Sequence, residues 1–326
     1  MRREATRWCE AGHVEATEQV TISEREQEEL SAMKEKLAFT LSGKNITINN
    51  PRLPQIRQKG DTIYVSTKKT EVKFSAKDGS LLSMCFKGKE IIGANSFVYN
   101  NHRWIENDRY GHTDALNGNT AEISFEPNTE KHCIDLMVKR GSSQCPTTTV
   151  YSIYNNGTID IDTEFTPQTN NLRRAGLTAC INPEYCNVDY YAYGPWENHN
   201  DRKAGVTLGR YSDTVENMIG KYVKPQSSGN REGLRELSLT NDKGAGVNIE
   251  VLAGECSFSA LRYTDASLMQ ARHLWEAKES PYIVLHLNAA KRGVGNASCG
   301  YDVDTLEKYR VAKKTYRYKL RLSSAK

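Results

Sequence analysis

The feature that most constrains this chain is a recurring unit: a short alternating run, a turn, and a second short run. Thr149–Tyr154 and Thr158–Phe165 flank Asn155-Asn156-Gly157. A side-chain period of two suits a strand with one buried face, and Asn-Gly favours the positive-φ turn that reverses an antiparallel pair. Glu71–Ser75 and Leu81–Phe86 repeat the unit around Asp78-Gly79, and Leu234–Leu239 and Val247–Val251 repeat it around Asn241 to Gly244. Thr62-Ile-Tyr-Val-Ser66 alternates as well. Convincing helical spacing is confined to Asp265–Glu279, and Ser23-Glu-Arg-Glu26 carries a capping-box spacing that predicts a short solvated helix within Ser23–Lys36. Many short strands, few helices and no βαβ rhythm predict an all-β antiparallel architecture.

Composition narrows the function classes. Charged residues make up 26% of the 326 residues and hydrophobic residues 38%. Mean hydropathy is −0.66, and no apolar run approaches the ~20 residues of a membrane helix. The basic start Met1-Arg-Arg3 has no apolar segment after it, so no secretory signal is expected. The expectation is a soluble protein of the cytoplasm or periplasm. A net charge of +4 permits nucleic-acid binding, but the basic residues are dispersed among acids. Arg317, Lys319 and Arg321 alternate with Tyr and Leu, which reads as the outer face of a strand. The eight cysteines contain no CxxC pair, so neither a zinc site nor a disulfide framework is expected. Cys85, Cys180 and Cys256 read as small buried hydrophobes.

Tyr193-Gly-Pro-Trp-Glu-Asn-His-Asn-Asp-Arg-Lys203 and Tyr222-Val-Lys-Pro-Gln-Ser-Ser-Gly-Asn-Arg231 are too polar for core strands and too aromatic for plain solvated loops. Further along stand Phe258–Asp265, Leu268–His273, Ile283–Ala290, Arg292-Gly-Val-Gly-Asn296 and Thr315–Leu322. In this order, from about Arg173 to the C-terminus, these stretches resemble the C-terminal, small-chain domain of family-2 β-galactosidases. Phe97–Asp108 is more weakly similar to an earlier aromatic and Asn-Asp stretch of the same domain. The resemblance implies a large antiparallel super-sandwich of the galactose-mutarotase-like class over 51–326. It implies a linker over 23–50, partly helical, and over 1–22 a remnant of the preceding immunoglobulin-like sandwich, with its last strand at Val14–Ile22.

The same resemblance carries functional expectations. The family's two catalytic glutamates lie in a central barrel, and nothing here reads as that barrel, so no catalytic residue is assigned and this chain alone is expected to be inactive. Its partners would be the remaining domains with their catalytic barrel, a galactoside, and further copies in a homo-oligomer; neither nucleic acid nor membrane is expected. No metal ligand is assigned; Mg²⁺ and Na⁺ are implied only for the complete enzyme. Candidate substrate-binding residues are Arg103 and Trp104 at the rim, Trp196, Glu197 and Asn198 in the polar-aromatic run, and Asn296, Ser298 and Cys299 in the glycine loop. Cys299 stands where the best-known members carry a stacking Trp, and a thiol cannot replace an indole's area. Asp201 beside Arg202 is the second notable carboxylate after Glu197; a hydrogen-bonded structural loop is the alternative for both. Two other functions stay open: a non-catalytic carbohydrate-binding module built on Trp196, Glu197 and Asn198, and an aldose 1-epimerase using an imidazole such as His102 or His199 with a carboxylate.

Overall fold

A computed structural model describes residues 18–22, 25–40, 47–48, 50–93, 95–106, 108, 110–112, 122–295 and 303–326. The first ten strands are β1 (Phe39–Thr40), β2 (Thr47–Ile48), β3 (Gln55–Lys59), β4 (Thr62–Ser66), β5 (Thr70–Ser75), β6 (Leu81–Phe86), β7 (Lys89–Glu90), β8 (Val98–Asn100), β9 (Glu122–Asn128) and β10 (Cys133–Gly141). The others are β11 (Pro146–Tyr154), β12 (Ile159–Phe165), β13 (Arg174–Ile181), β14 (Asn187–Gly194), β15 (Thr207–Thr214), β16 (Glu236–Thr240), β17 (Gly246–Gly254), β18 (Ser257–Leu261), β19 (Ile283–Lys291) and β20 (Tyr316–Ala325). Every ladder between them is antiparallel. The all-β antiparallel expectation therefore holds, and the Asn155–Gly157 turn joins β11 to β12 as its sequence requires.

A ten-stranded sheet runs β1-β9-β10-β11-β12-β20-β17-β16-β14-β15, against a four-stranded sheet β18-β19-β13-β8 and a six-stranded sheet β2 to β7. The inner face of the large sheet packs on both smaller ones. Tyr151 of β11 meets Phe74 of β5 edge-on at 5.0 Å, Phe165 of β12 lies 6.4 Å from Tyr99 of β8, and Tyr190 of β14 lies 5.4 Å from Phe258 of β18. One continuous apolar cluster joins the three sheets, which makes the molecule a sandwich around a single core. Phe165 is fully buried between Tyr99 and Tyr318; truncating such a side chain costs about 3–5 kcal/mol.

On the outer face, Arg321 pairs with Asp160 at 2.7 Å and Arg317 with Asp162 at 2.6 Å, the solvated-strand reading of that basic alternation. This face also corrects the expected helix at Ser23–Lys36. Residues 25–36 contain no helix and lie against the sheet instead. The Glu28 N–H donates to the Leu252 carbonyl (3.0 Å), which a bulge between Val251 and Ala253 leaves outside the β17–β20 ladder. Arg317 donates to the Ser31 carbonyl and Lys319 pairs with Glu28. A segment with few apolar residues has no face to bury as a helix, while its carbonyls and carboxylates suit a basic sheet surface. The stretch expected as a linker also supplies β1, paired to β9.

Two further expectations change. Helix α1 is short (Asp265–Gln270), with Thr264 as its N-cap accepting from the Ser267 N–H. It stops because the Glu276 carboxylate takes the Arg272 and His273 N–H groups (2.8 and 3.2 Å), while Lys224 covers the Ala271 carbonyl at 2.6 Å. Cys256 is buried as expected, but Cys85 and Cys180 are partly exposed; all six described cysteines are free thiols. Of the expected last strand at Val14–Ile22, residues 14–17 lie outside the described residues and 18–22 are irregular. There the Gln19 amide exchanges two hydrogen bonds with the Leu208 backbone on edge strand β15 (2.8 and 2.7 Å). No described helix is long and apolar enough to cross a membrane.

Candidate functional site at the loop end of the sandwich

Four loops meet at one end of the sandwich: 101–112 after β8, 195–206 after β14, 215–235 between β15 and β16, and the segment from Arg292 after β19. The turn-rich composition of the second loop explains its path. Asn198 is fully buried and acts as its hub. Its amide donates to the Tyr193 and Trp196 carbonyls (both 2.9 Å), its side-chain oxygen accepts from the Glu232 N–H (2.9 Å), and its carbonyl accepts from Asn230 (2.8 Å).

Glu197 ties this loop to the next. One oxygen accepts from the Tyr222 hydroxyl at 2.9 Å and from His199 Nε2 at 3.0 Å, and the other from the Gly229 N–H at 2.7 Å. Burial alone would raise this carboxyl, yet the hydrogen bonds led by His199 outweigh it and hold its pKa near about 2. His199 is pushed down to about 4, first by burial and then by the charge of Lys291. The pair therefore sits as a carboxylate and a neutral imidazole that donates from Nε2.

Asn200 and Asp201 reach the segment after β19. Asn200 donates to the Lys291 carbonyl (2.8 Å), and Asp201 accepts from the Gly295 N–H (2.7 Å). A Cβ on Gly293 would lie 2.4 Å from the Asp201 carboxylate, so this close approach needs glycine. Asp201 thus caps backbone rather than pairing with Arg202. Arg202 itself shares a tight backbone turn with His199.

Beneath the loops lies a network that no local motif announces. Arg103 and Arg292 are fully buried, and both pair with Asp108; Arg292 also pairs with Asp304. Arg173 grips the Arg103 and Asp108 carbonyls (2.9 and 2.7 Å). Arg174 pairs with Asp265, which also accepts from Ser227 and faces His286 at 3.5 Å. Burial opposes ionisation of Asp265, but Arg174 prevails and keeps its carboxyl well below the usual range. Burial, with the charge of Arg174, pushes His286 down to about 3. Sequence reasoning missed this network because its members are far apart in the chain, Arg103 and Arg292 by 189 positions; the faint signal is arginine at or next to strand ends, as Arg174 and Arg292 are.

The candidate contact residues are thereby sorted. Arg103 and Asn198 are enclosed and present no surface to a ligand. Trp104 is half-buried, joined to Ser227 by two hydrogen bonds (3.1 and 2.7 Å), with Lys224 above its ring at 5.9 Å. Trp196 is 71% exposed. Glu197 is accessible over only 14% of its side chain. Asn296, Ser298 and Cys299 lie outside the described residues. Around the site, Val223, Met269 and Trp275 are also exposed. Tyr222 and Lys224 carry this surface from Glu197 to the carbonyls of Met269 and Ala271. Among the described residues no group of three or more His, Cys, Asp or Glu is arranged to hold a metal.

Residues 66–322 match the family described as "Beta galactosidase small chain". This chain belongs to that family. Among similar curated proteins, a β-galactosidase of Streptococcus thermophilus is 27% identical over 296 residues, covering 90% of this chain and 28% of that protein. A β-galactosidase of Vibrio vulnificus (strain CMCP6) is 24% identical over 349 residues, covering 99% of this chain and 32% of that protein. The small-chain member described here thus spans under a third of the length of these curated relatives. Similar solved structures include an aldose epimerase homologue from C. elegans, at 10% identity and a TM-score of 0.48 over 81% of this chain and 98% of that one. A galactose 1-epimerase from Lactobacillus acidophilus NCFM is similar at 9% identity and a TM-score of 0.43, over 87% of this chain and 100% of that one.

Proposed function

We propose that this chain is the C-terminal small-chain portion of a β-galactosidase, acting on terminal β-D-galactosides together with the rest of that protein. The observation that carries this reading is the small-chain match over residues 66–322 in a chain spanning 28% of a relative's length. A retaining glycosidase needs two carboxylates about 5–5.5 Å apart. On this reading both come from the catalytic barrel, and Mg²⁺ and Na⁺ belong to the complete enzyme.

The chain's own contribution is a face. Trp196, Val223 and Trp275 are each more than two-thirds exposed, and Tyr222 and Lys224 join their loops. Exposed apolar surface of this kind suits a protein interface, and the barrel is the occupant this reading gives it. Trp104 and Trp196 form the rim beside the galactoside, with the loop of Asn296, Ser298 and Cys299 as the third contributor. Arg103 and Asn198 act from beneath, by holding the loops in place. Homo-oligomerisation belongs to the assembled enzyme.

Complementation tests the reading. Mixing the purified chain with a β-galactosidase lacking its small-chain region should restore hydrolysis of a chromogenic β-galactoside. Trp196→Ala should weaken that restoration at least tenfold while shifting the stability of the free chain by less than ~0.5 kcal/mol, as an exposed side chain should. Failure of the two pieces to associate on a sizing column, with no activity gained, refutes the proposal.

A further inference from the structure

Behind the loops described above, a cleft of about 740 Å³ opens between the ends of β17, β19 and β20. Its dimensions suit a small hydroxylated molecule. Lys291, the last residue of β19, is 7% exposed and lines it. The ammonium of Lys291 makes no hydrogen bond or ion pair among the described residues, whereas its backbone carbonyl is held by Asn200. Glu232, also lining the cleft, has one oxygen occupied by the Asn230 amide at 2.8 Å.

Polar groups without partners accompany this lysine. Asn200 and Asn288 line the cleft, and the side-chain oxygen of each is buried with no hydrogen-bond partner. A buried polar atom left in that state costs about 1–3 kcal/mol. At the mouth, Lys203, Lys308 and Lys314 make no ion pair among the described residues. They lie 5.4, 4.8 and 5.1 Å from the rings of Tyr193, Tyr309 and Tyr316. The cleft thus combines a buried cation, tyrosine rings and a basic mouth.

We propose that this cleft binds a small anionic sugar, with its carboxylate or phosphate on the Lys291 ammonium. Charge decides the sign of the ligand. Burial, and then the like charges of Arg103 and Arg174, push Lys291 down to about 7 against the opposing pull of Glu232 and Glu197. Burial pushes the Glu232 carboxyl up, which weakens the competing negative charge. An anion entering beside Lys291 supplies the counter-charge that the protein alone does not bring into contact. The proposal stands independently of the β-galactosidase reading, because its readout is binding to the chain by itself.

Calorimetry on the 326-residue chain at pH 7.0, with galactose 6-phosphate, galacturonate and neutral galactose, tests it. At least one anionic sugar should bind tenfold or more tightly than galactose, and Lys291→Met should remove that preference. Binding of galactose 6-phosphate alone assigns a phosphate, and of galacturonate alone a carboxylate. No binding by either anion, or equal affinity for galactose, overturns the proposal. A second readout avoids any folding defect of the variant. On the unaltered chain, a saturating anionic sugar should slow acetylation of Lys291, read by peptide mass spectrometry, at least fivefold relative to galactose. An unchanged rate overturns it as well.

Discussion

Mild acid should destabilise the folded chain through His199, by an amount the structure allows to be worked out. Its imidazole is 2% exposed and donates to Glu197 at 3.0 Å, while Nδ1 has no hydrogen-bond partner. Burial and the charge of Lys291 hold its folded pKa at about 4, against 6.5 when exposed. A base whose folded pKa is depressed takes up its proton first in the unfolded chain. Stability from this group is therefore lost as pH falls from about 6.5 towards 4. Between pH 7.5 and 5.0 the linkage relation gives a loss of about 2 kcal/mol. With a urea dependence of ~3 kcal/mol per M, the unfolding midpoint should fall by about 0.7 M. Glu197, held at about 2, changes little over this range because even the unfolded carboxyl, near 4.5, stays mostly ionised. Burial lowers His286 and His102 too, so they act in the same direction. The informative comparison is consequently with His199→Gln, whose amide still donates to Glu197 and does not titrate. Its midpoint should fall about 0.7 M less than that of the unaltered chain between the two pH values. Equal falls would refute the reasoning.

Two substitutions test the framework under the loops. Asn198→Ala removes three side-chain hydrogen bonds of a fully buried hub, and urea unfolding should register a loss of about 2–4 kcal/mol; a loss below 1 would mean that the loop re-forms without it. Asp265→Asn leaves Arg174 buried without its counter-charge, which should cost about 3–5 kcal/mol by the same assay, and a near-neutral result would show that the His102 carbonyl and the remaining amide suffice to hold the guanidinium.

Much of the strand layout was legible locally. Expected Thr62–Ser66 and Leu81–Phe86 are the observed β4 and β6, and the paired runs around Asn155–Gly157 and Asn241–Gly244 became β11–β12 and β16–β17. Periodicity and turn chemistry act over a few residues, so they survive in the sequence. The helix expected at 23–36 is absent over 25–36 and the one expected at 265–279 ends at Gln270, for a common reason. At 25–36 the competing partner is the basic face of β20, and at Arg272 and His273 it is the Glu276 carboxylate. Helical spacing cannot register a competitor for the backbone hydrogen bonds.

The polar-aromatic run 193–203 stood out in the sequence because its composition fits neither a core strand nor a solvated loop. Which of its residues face outward did not. Trp196 and Asn198 are two positions apart, yet one is 71% exposed and the other fully buried. The difference arises because Tyr193, Trp196, Asn230 and Glu232 converge on Asn198 from two loops. The same holds more strongly for Arg103, Asp108, Arg174, Asp265 and Arg292. Arg103 reads alone as a rim residue open to substrate and the others as ordinary surface charges, and burial becomes tolerable only where a distant partner neutralises it.

By itself, then, the sequence determined the all-β class, most of the hairpins and the small-chain resemblance, because these rest on local periodicity, turn residues and motif order. Tertiary structure alone decided which polar residues are enclosed, where the buried arginines find their carboxylates, and that Lys291 ends in a cleft without an ion-pair partner in contact. Those outcomes depend on desolvation and on partners as much as 190 positions away, and neither quantity is written in any local stretch of the chain.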